Sequence, residues 1–208
     1  MPAAAAGAVR PLAAIALASA GFDLLVFALL HAVQPGVDVL TEPTSGYVHG
    51  ALGFLSPLAA GVVGLGGLCL AAACWRVLSG SAARIGAGLL AVFGVAKLGQ
   101  AFFPIDAAGE ATSAGAAHNL LGNIAFFLLP VAAALLTGAL GRAAGRHRPA
   151  WAVSMASWAL LGLTVLVLAA DALGWFGLAQ RFYLVGAAGW TALVSVWLLR
   201  PAQRLALA

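Results

Sequence analysis

Residues 12–33 read LAAIALASAGFDLLVFALLHAV, and this stretch decides the fold class. It is an almost unbroken apolar run of the length that one crossing of a bilayer requires, roughly 20 residues. Its apolar residues are continuous rather than alternating, so it reads as a helix and not as a barrel strand. Asp23 alone interrupts it with a charge. Arg10 and the small residues Ala18-Ser19-Ala20 imitate a signal peptide with a cleavage site. The run nevertheless continues past Ala20 to Val33, so a retained first span is expected.

The pattern repeats along the chain. Further apolar segments cover 47–75, 85–103, 118–140, 151–171 and 182–199. The second is long enough to tilt or to begin among headgroups, with Pro57 as a candidate kink. Pro104 stops the third. Hydrophobic residues make up 63% of the 208 positions and charged residues 8%, with a mean hydropathy of +1.05. That is too little charge to cover a water-soluble surface. The expectation is an all-α, polytopic integral membrane protein: a six-transmembrane-helix bundle forming a single domain over 1–208, with the lipid bilayer as its partner.

The charges set a sidedness. With the N-terminus inside, Arg10, Arg76, Arg84, Arg142, Arg146, Arg148, Arg200 and Arg204 face the cytoplasm, whereas Asp38, Glu42, Asp106 and Glu110 fall in outer loops. Asp171 ends the fifth span on the outer side, and Arg181 sits at the outer end of the sixth. Both termini are therefore expected in the cytoplasm, and the location in the cell (inner) membrane. The net charge of +4 does not indicate nucleic-acid binding, because the arginines are scattered between apolar runs instead of forming a basic stripe. The cluster Arg142, Arg146, His147 and Arg148 is an orientation signal that could also touch anionic lipid heads. Cys69 and Cys74, five apart, share no helix face and read as small buried hydrophobes. Gly61, Gly64, Gly66 and Gly67, with Gly86, Gly88, Gly94 and Gly99, permit close helix approach. Trp75, Trp151 and Trp175 lie near span ends, where an aromatic belt belongs.

Three helical hairpins with related outer turns are a further expectation. Asp38 precedes His49, Asp106 precedes His118 and Asp171 precedes Arg181, at separations of 11, 12 and 10 residues. Each turn would place an acid beside a base.

The outer-turn segments resemble a known family. Thr44-Ser45-Gly46-Tyr47, Phe103-Pro104-Ile105-Asp106, His118, and Gly177-Leu178-Ala179-Gln180-Arg181 with Trp190 are similar, in order, to the bacterial membrane proteins catalogued as domain of unknown function 998. Gln180 stands where the family pattern has an acid before the arginine. The resemblance implies a six-helix membrane fold and lends no activity.

Asp23 is the costliest residue to bury: a carboxylate at that depth costs roughly 2.5–3.5 kcal/mol on insertion scales. Lys97 lies at a similar depth in the third span, so the two are expected to pair or to share a water-filled cavity. His31, Gln100, Asn119 and Asn123 add hydrogen-bonding groups at the outer ends. Together with His49, Asp106, His118 and Arg181 they compose a candidate outward-facing ligand pocket. His31, His49, His118 and Asp106 have ligand chemistry suited to zinc, yet no local metal-binding spacing exists, so no metal is favoured. No two histidines match in depth for haem, and no cofactor is expected.

Three function classes follow. A binding or transport protein for a small polar solute or lipid headgroup, the favoured reading, requires a cavity holding Asp23 and Lys97. A membrane-embedded metal-assisted hydrolase requires three of the four metal candidates to converge. A non-catalytic scaffold or partner subunit requires a closed, dry bundle. No residue is assigned a catalytic role, and a homo-oligomer would supply any pathway that one copy lacks.

Overall fold

The computed structural model describes residues 3–144 and 149–200, with side chains for 8–143 and 151–200. Arg146, His147, Arg148 and Arg204 lie outside the described residues. Six long helices form: α1 (Ala3–Val33), α2 (Leu55–Val77), α3 (Ser81–Gln100), α4 (Ser113–Ala144), α5 (Pro149–Ala172) and α6 (Phe176–Leu199). All six are long and apolar enough to cross a membrane. The chain is an integral membrane protein with a six-helix bundle, surrounded by lipid. Bulky side chains such as Leu25, Phe102, Trp158, Val165 and Leu173 stay exposed on its outside, because lipid tails solvate them as well as a core would.

Each helix packs on the next in sequence, and α6 returns to pack on α1, so the bundle is a ring. Helices in such an up-and-down ring alternate in direction. The short α2–α3 turn therefore lies at one end, with Arg76, Arg84 and Arg142. The α1–α2, α3–α4 and α5–α6 connections lie at the other, which is called the loop end below.

The arginine end is solidly packed. Cys74 of α2 and Leu78 just after it, Leu90 of α3, Leu136 and Leu140 of α4, Leu160 of α5 and Trp190 and Val194 of α6 are all buried in one cluster. Ser157 gathers most of its polar atoms, whereas the buried Ser195 Oγ of α6 has no partner among the described residues. Ser157 Oγ donates to the Val153 carbonyl at 2.9 Å, accepts from Thr137 Oγ1 at 2.8 Å and accepts from Trp190 Nε1 at 2.9 Å.

Two close approaches set the register of α1, α2 and α3. A Cβ on Gly64 would stand 2.7 Å from the Gly94 carbonyl oxygen, and one on Gly94 would stand 2.8 Å from that of Gly64. These backbones touch because neither residue has a side chain. Gly66 is likewise filled against by Ser19. Gly88, by contrast, has nothing beside it, so not every glycine of the two runs serves packing.

Several boundaries differ from the sequence expectation. The stretch before α2 is a 3-10 helix, Thr44–His49, followed by turns, not the start of a long span. Pro57 consequently falls in the first turn of α2, where its missing N–H costs nothing, and does not kink the helix. Pro130 instead lies inside α4. It cannot bond the carbonyl four residues back, that of Phe126, and the Tyr183 hydroxyl of α6 donates to that carbonyl at 2.9 Å. The Phe126 and Tyr183 rings stack at 3.8 Å. Helix α6 starts at Phe176 rather than 182, which moves Arg181 from the helix end into its second turn and buries it. Both cysteines are free, Cys74 buried and Cys69 half-buried.

Candidate functional site

The loop-end half of the ring is hollow. A cavity of about 340 Å³ lies along its axis, walled by side chains from all six helices and reaching Pro43, Thr44 and Ser45 at the α1–α2 connection and Pro104 and Ile105 at the α3–α4 connection. Its floor, toward the arginine end, is made by Leu70, Leu90 and Leu129. Polar groups gather above that floor: Asp23, Lys97, Gln100, His118, Asn119 and Asn123 all line the walls.

Asp23 and Lys97 stand level. Ser19 lies opposite Gly66, so Asp23, four residues further toward the loop end, is level with about position 62 of α2. Gly94 lies opposite Gly64, so Lys97, three residues further, is level with about position 61. The two depths therefore agree to about one residue, or ~1.5 Å. Between them α2 presents only the modest side chains of Ala59, Ala60 and Val63, which leaves room for the cavity. Among the described residues no hydrogen bond joins Asp23 to Lys97. Lys97 Nζ instead donates to Gln100 Oε1 at 2.8 Å.

Gln100 continues the chain of bonds. Its amide nitrogen lies 3.4 Å from His118 Nε2 and donates to the His118 carbonyl at 3.3 Å. His118 Nδ1 is 2.7 Å from the Phe103 carbonyl oxygen, which can only accept. The proton therefore sits on Nδ1 and leaves Nε2 as an acceptor toward Gln100.

Four of the expected pocket residues do not line the cavity. Asp106 accepts from the backbone N–H of Thr112 at 3.0 Å and from its hydroxyl. Thr112 in turn caps α4, its Oγ1 accepting from the Gly115 N–H at 3.1 Å. Those bonds hold the Asp106 carboxyl below its ordinary value of 3.8. Asp38 behaves similarly in the first connection, held low by the Thr41 hydroxyl and the Leu40 N–H. Neither acid bonds the histidine that follows it, and Asp171 is exposed at the end of α5. The acid–base turns expected from the hairpin repeat are thus helix-capping and loop-closing turns. His49 is exposed on the 3-10 helix.

His31 and Arg181 converge on a residue absent from the candidate set, Tyr47. The Tyr47 ring is buried, and its hydroxyl lies 2.6 Å from His31 Nδ1 while accepting from Arg181 Nη2 at 3.1 Å. Arg181 Nη1 donates to the carbonyls of Val39 at 3.1 Å, Glu42 at 2.8 Å and Gly177 at 2.9 Å. Its charge is met by carbonyl dipoles instead of a carboxylate. Among the described residues no three of His, Cys, Asp and Glu come together as a metal site would require.

Over residues 13–197 the sequence matches the family described as Protein of unknown function (DUF998). The chain belongs to that family. Neither a curated protein nor a solved structure matches it. In this DUF998 chain two of the motif segments that carry the resemblance, Thr44–Tyr47 and Gly177–Arg181, touch each other. Gln180 Oε1 accepts from the Thr44 N–H at 2.8 Å and from its hydroxyl at 3.2 Å, and the Leu178 N–H donates to the Leu40 carbonyl at 3.1 Å. A Cβ at Gly177 would stand 2.5 Å from the Glu42 carbonyl oxygen, so the loop can lie on α6 only where α6 is bare. The motif is a clasp between the α1–α2 connection and α6. An acid at position 180 could accept the same two bonds from Thr44. The clasp borders the cavity through Thr44, Tyr47 and Gln180.

Proposed function

We propose that this protein binds a small polar solute or a lipid headgroup in the cavity at the loop end of its helix ring. One observation carries the reading: Asp23 and Lys97 both face a shared space at one depth without bonding each other. A charge inside a membrane span is expensive and survives where a function or partner compensates it. A dry scaffold would bring the two into contact or omit them. The volume falls at the lower end of the range of about 300–1,000 Å³ usual for small-molecule sites. The packed arginine end supports binding from one side; passage through the bundle would require that packing to open.

The same reading places the chain in a bacterial cell membrane with both termini cytoplasmic, supported by the arginines gathered at the closed end. The cavity then faces outward. A cysteine introduced at Gly109, in the α3–α4 connection, is expected to react with an impermeant maleimide on intact cells. Labelling only after permeabilisation would reverse the orientation.

Binding itself is tested by filling the space. Val63→Phe narrows the cavity beside Asp23 and Lys97, and its thermal unfolding in detergent is compared with the parent across a panel of zwitterionic, anionic, cationic and neutral solutes and short-chain lipids. At least one class is expected to raise the midpoint of the parent and to lose that effect in the filled variant. A panel that moves neither protein refutes the reading.

A further inference from the structure

We infer that the ligand is a zwitterion with an apolar stem: a cationic nitrogen held by Asp23, an anionic oxygen held by Lys97, and the stem resting on the leucine floor. This rests on the binding reading above.

The argument begins with unused bonding capacity. An ammonium carries three donors, and Lys97 spends one on Gln100. An ionised carboxylate carries about four acceptor sites, and no hydrogen bond among the described residues reaches that of Asp23. Both groups face the same space at the same level. An anion alone would satisfy Lys97 and be repelled by Asp23, and a cation alone would meet the reverse. A neutral solute would leave the two charges facing each other across the space with no directly bonded partner of opposite sign, in a poorly solvating surrounding. Only a molecule bearing both signs neutralises the two walls at once.

The remaining walls fix the rest of the molecule. Asn119 and Asn123 lie on one face of α4, four residues apart, and offer amide donors and acceptors beside the charged pair. Below them Leu70, Leu90, Leu129 and Phe93 offer no polar side-chain atom. A fully polar zwitterion would therefore leave the floor unfilled, while an apolar stem of a few carbons would cover it. A cavity of about 340 Å³ admits a head and a short stem, not two lipid tails. A free amino acid with an aliphatic side chain and a phosphoethanolamine lipid head whose tails lie between helices share this chemistry.

The test varies the ligand on the unaltered full chain in a non-ionic detergent, with affinity read by titration calorimetry. L-leucine is compared with 4-methylpentanoate, which lacks the amine, and with 3-methylbutylamine, which lacks the carboxylate. Dihexanoylphosphatidylethanolamine is compared with dihexanoylphosphatidylglycerol. The zwitterion of at least one series is expected to bind about tenfold or more tightly than its singly charged relatives. Leucine alone identifies a free solute and the phosphatidylethanolamine alone a lipid head; either supports the inference. Asp23→Asn should then reduce the zwitterion to the affinity of the anion, and Lys97→Met to that of the amine, each with unchanged helix content. Zwitterionic and singly charged probes binding within about twofold would overturn the inference and leave the binding reading intact. If no probe of any charge bound, and the wider panel moved no midpoint, the binding reading itself would fall.

Discussion

Tyr47 shows how much one buried hydroxyl can organise. It takes a hydrogen bond from Arg181 and meets His31, so it joins α1, the 3-10 helix and α6 at a single atom. Tyr47→Phe leaves a buried guanidinium N–H and an imidazole nitrogen without partners. The expected loss is about 1–3 kcal/mol, read as a lowered unfolding midpoint in detergent. A midpoint within error of the parent would mean that water replaces the hydroxyl. The exposed acids give a pH signature. Asp106 titrates lower in the folded chain than the ordinary 3.8, so its bonds to Thr112 stabilise the fold above that value. The contribution disappears as pH falls through the depressed folded value. Asp106→Asn should flatten this acid limb below about pH 5, with Asp38→Asn acting likewise through Thr41. An unchanged acid limb in the double variant would assign the acid sensitivity elsewhere.

At the scale of helices, Pro130 and Tyr183 make one unit. The proline cannot donate to the Phe126 carbonyl, and the tyrosine of α6 donates in its place. Tyr183→Phe is expected to cost about 1–3 kcal/mol in the parent. It should cost much less on a Pro130→Ala background, where the alanine N–H restores the helical bond. A double-mutant cycle on unfolding midpoints measures that coupling, and additive losses would show the hydroxyl to be dispensable. Spans themselves were legible in the sequence, since twenty apolar residues in a row admit little else. Their ends were not, because 3-10 turns and capped loops share the composition of a frayed span. The matching depth of Asp23 and Lys97 is legible from counting residues; that no hydrogen bond joins them is not. Tyr47 does not stand out in the sequence, because an interfacial tyrosine is ordinary there and its partners lie sixteen residues before it and 134 after it. His31, His49, Asp106 and Arg181 are indistinguishable from pocket residues in the sequence, because outer-turn position says nothing about whether a side chain turns toward the axis or into its own loop.

For the molecule as a whole, the arrangement in sequence order fixes its character. Neighbour follows neighbour around the axis, and α1 against α6 is the main contact between distant parts of the chain, with α2 and the 3-10 helix also reaching α6. Half of the lumen is filled by leucine, alanine and Trp190, and half holds the polar walls. The clasp of Val39, Glu42 and Thr44 on Gly177, Gln180 and Arg181 lies along that one distant seam. During synthesis five staves of the barrel can enter the membrane before the sixth exists, and lipid can flow into the gap they leave. The vessel becomes watertight only when that sixth stave is seated and buckled against the first, so α6 is the helix that turns an open trough into a cup.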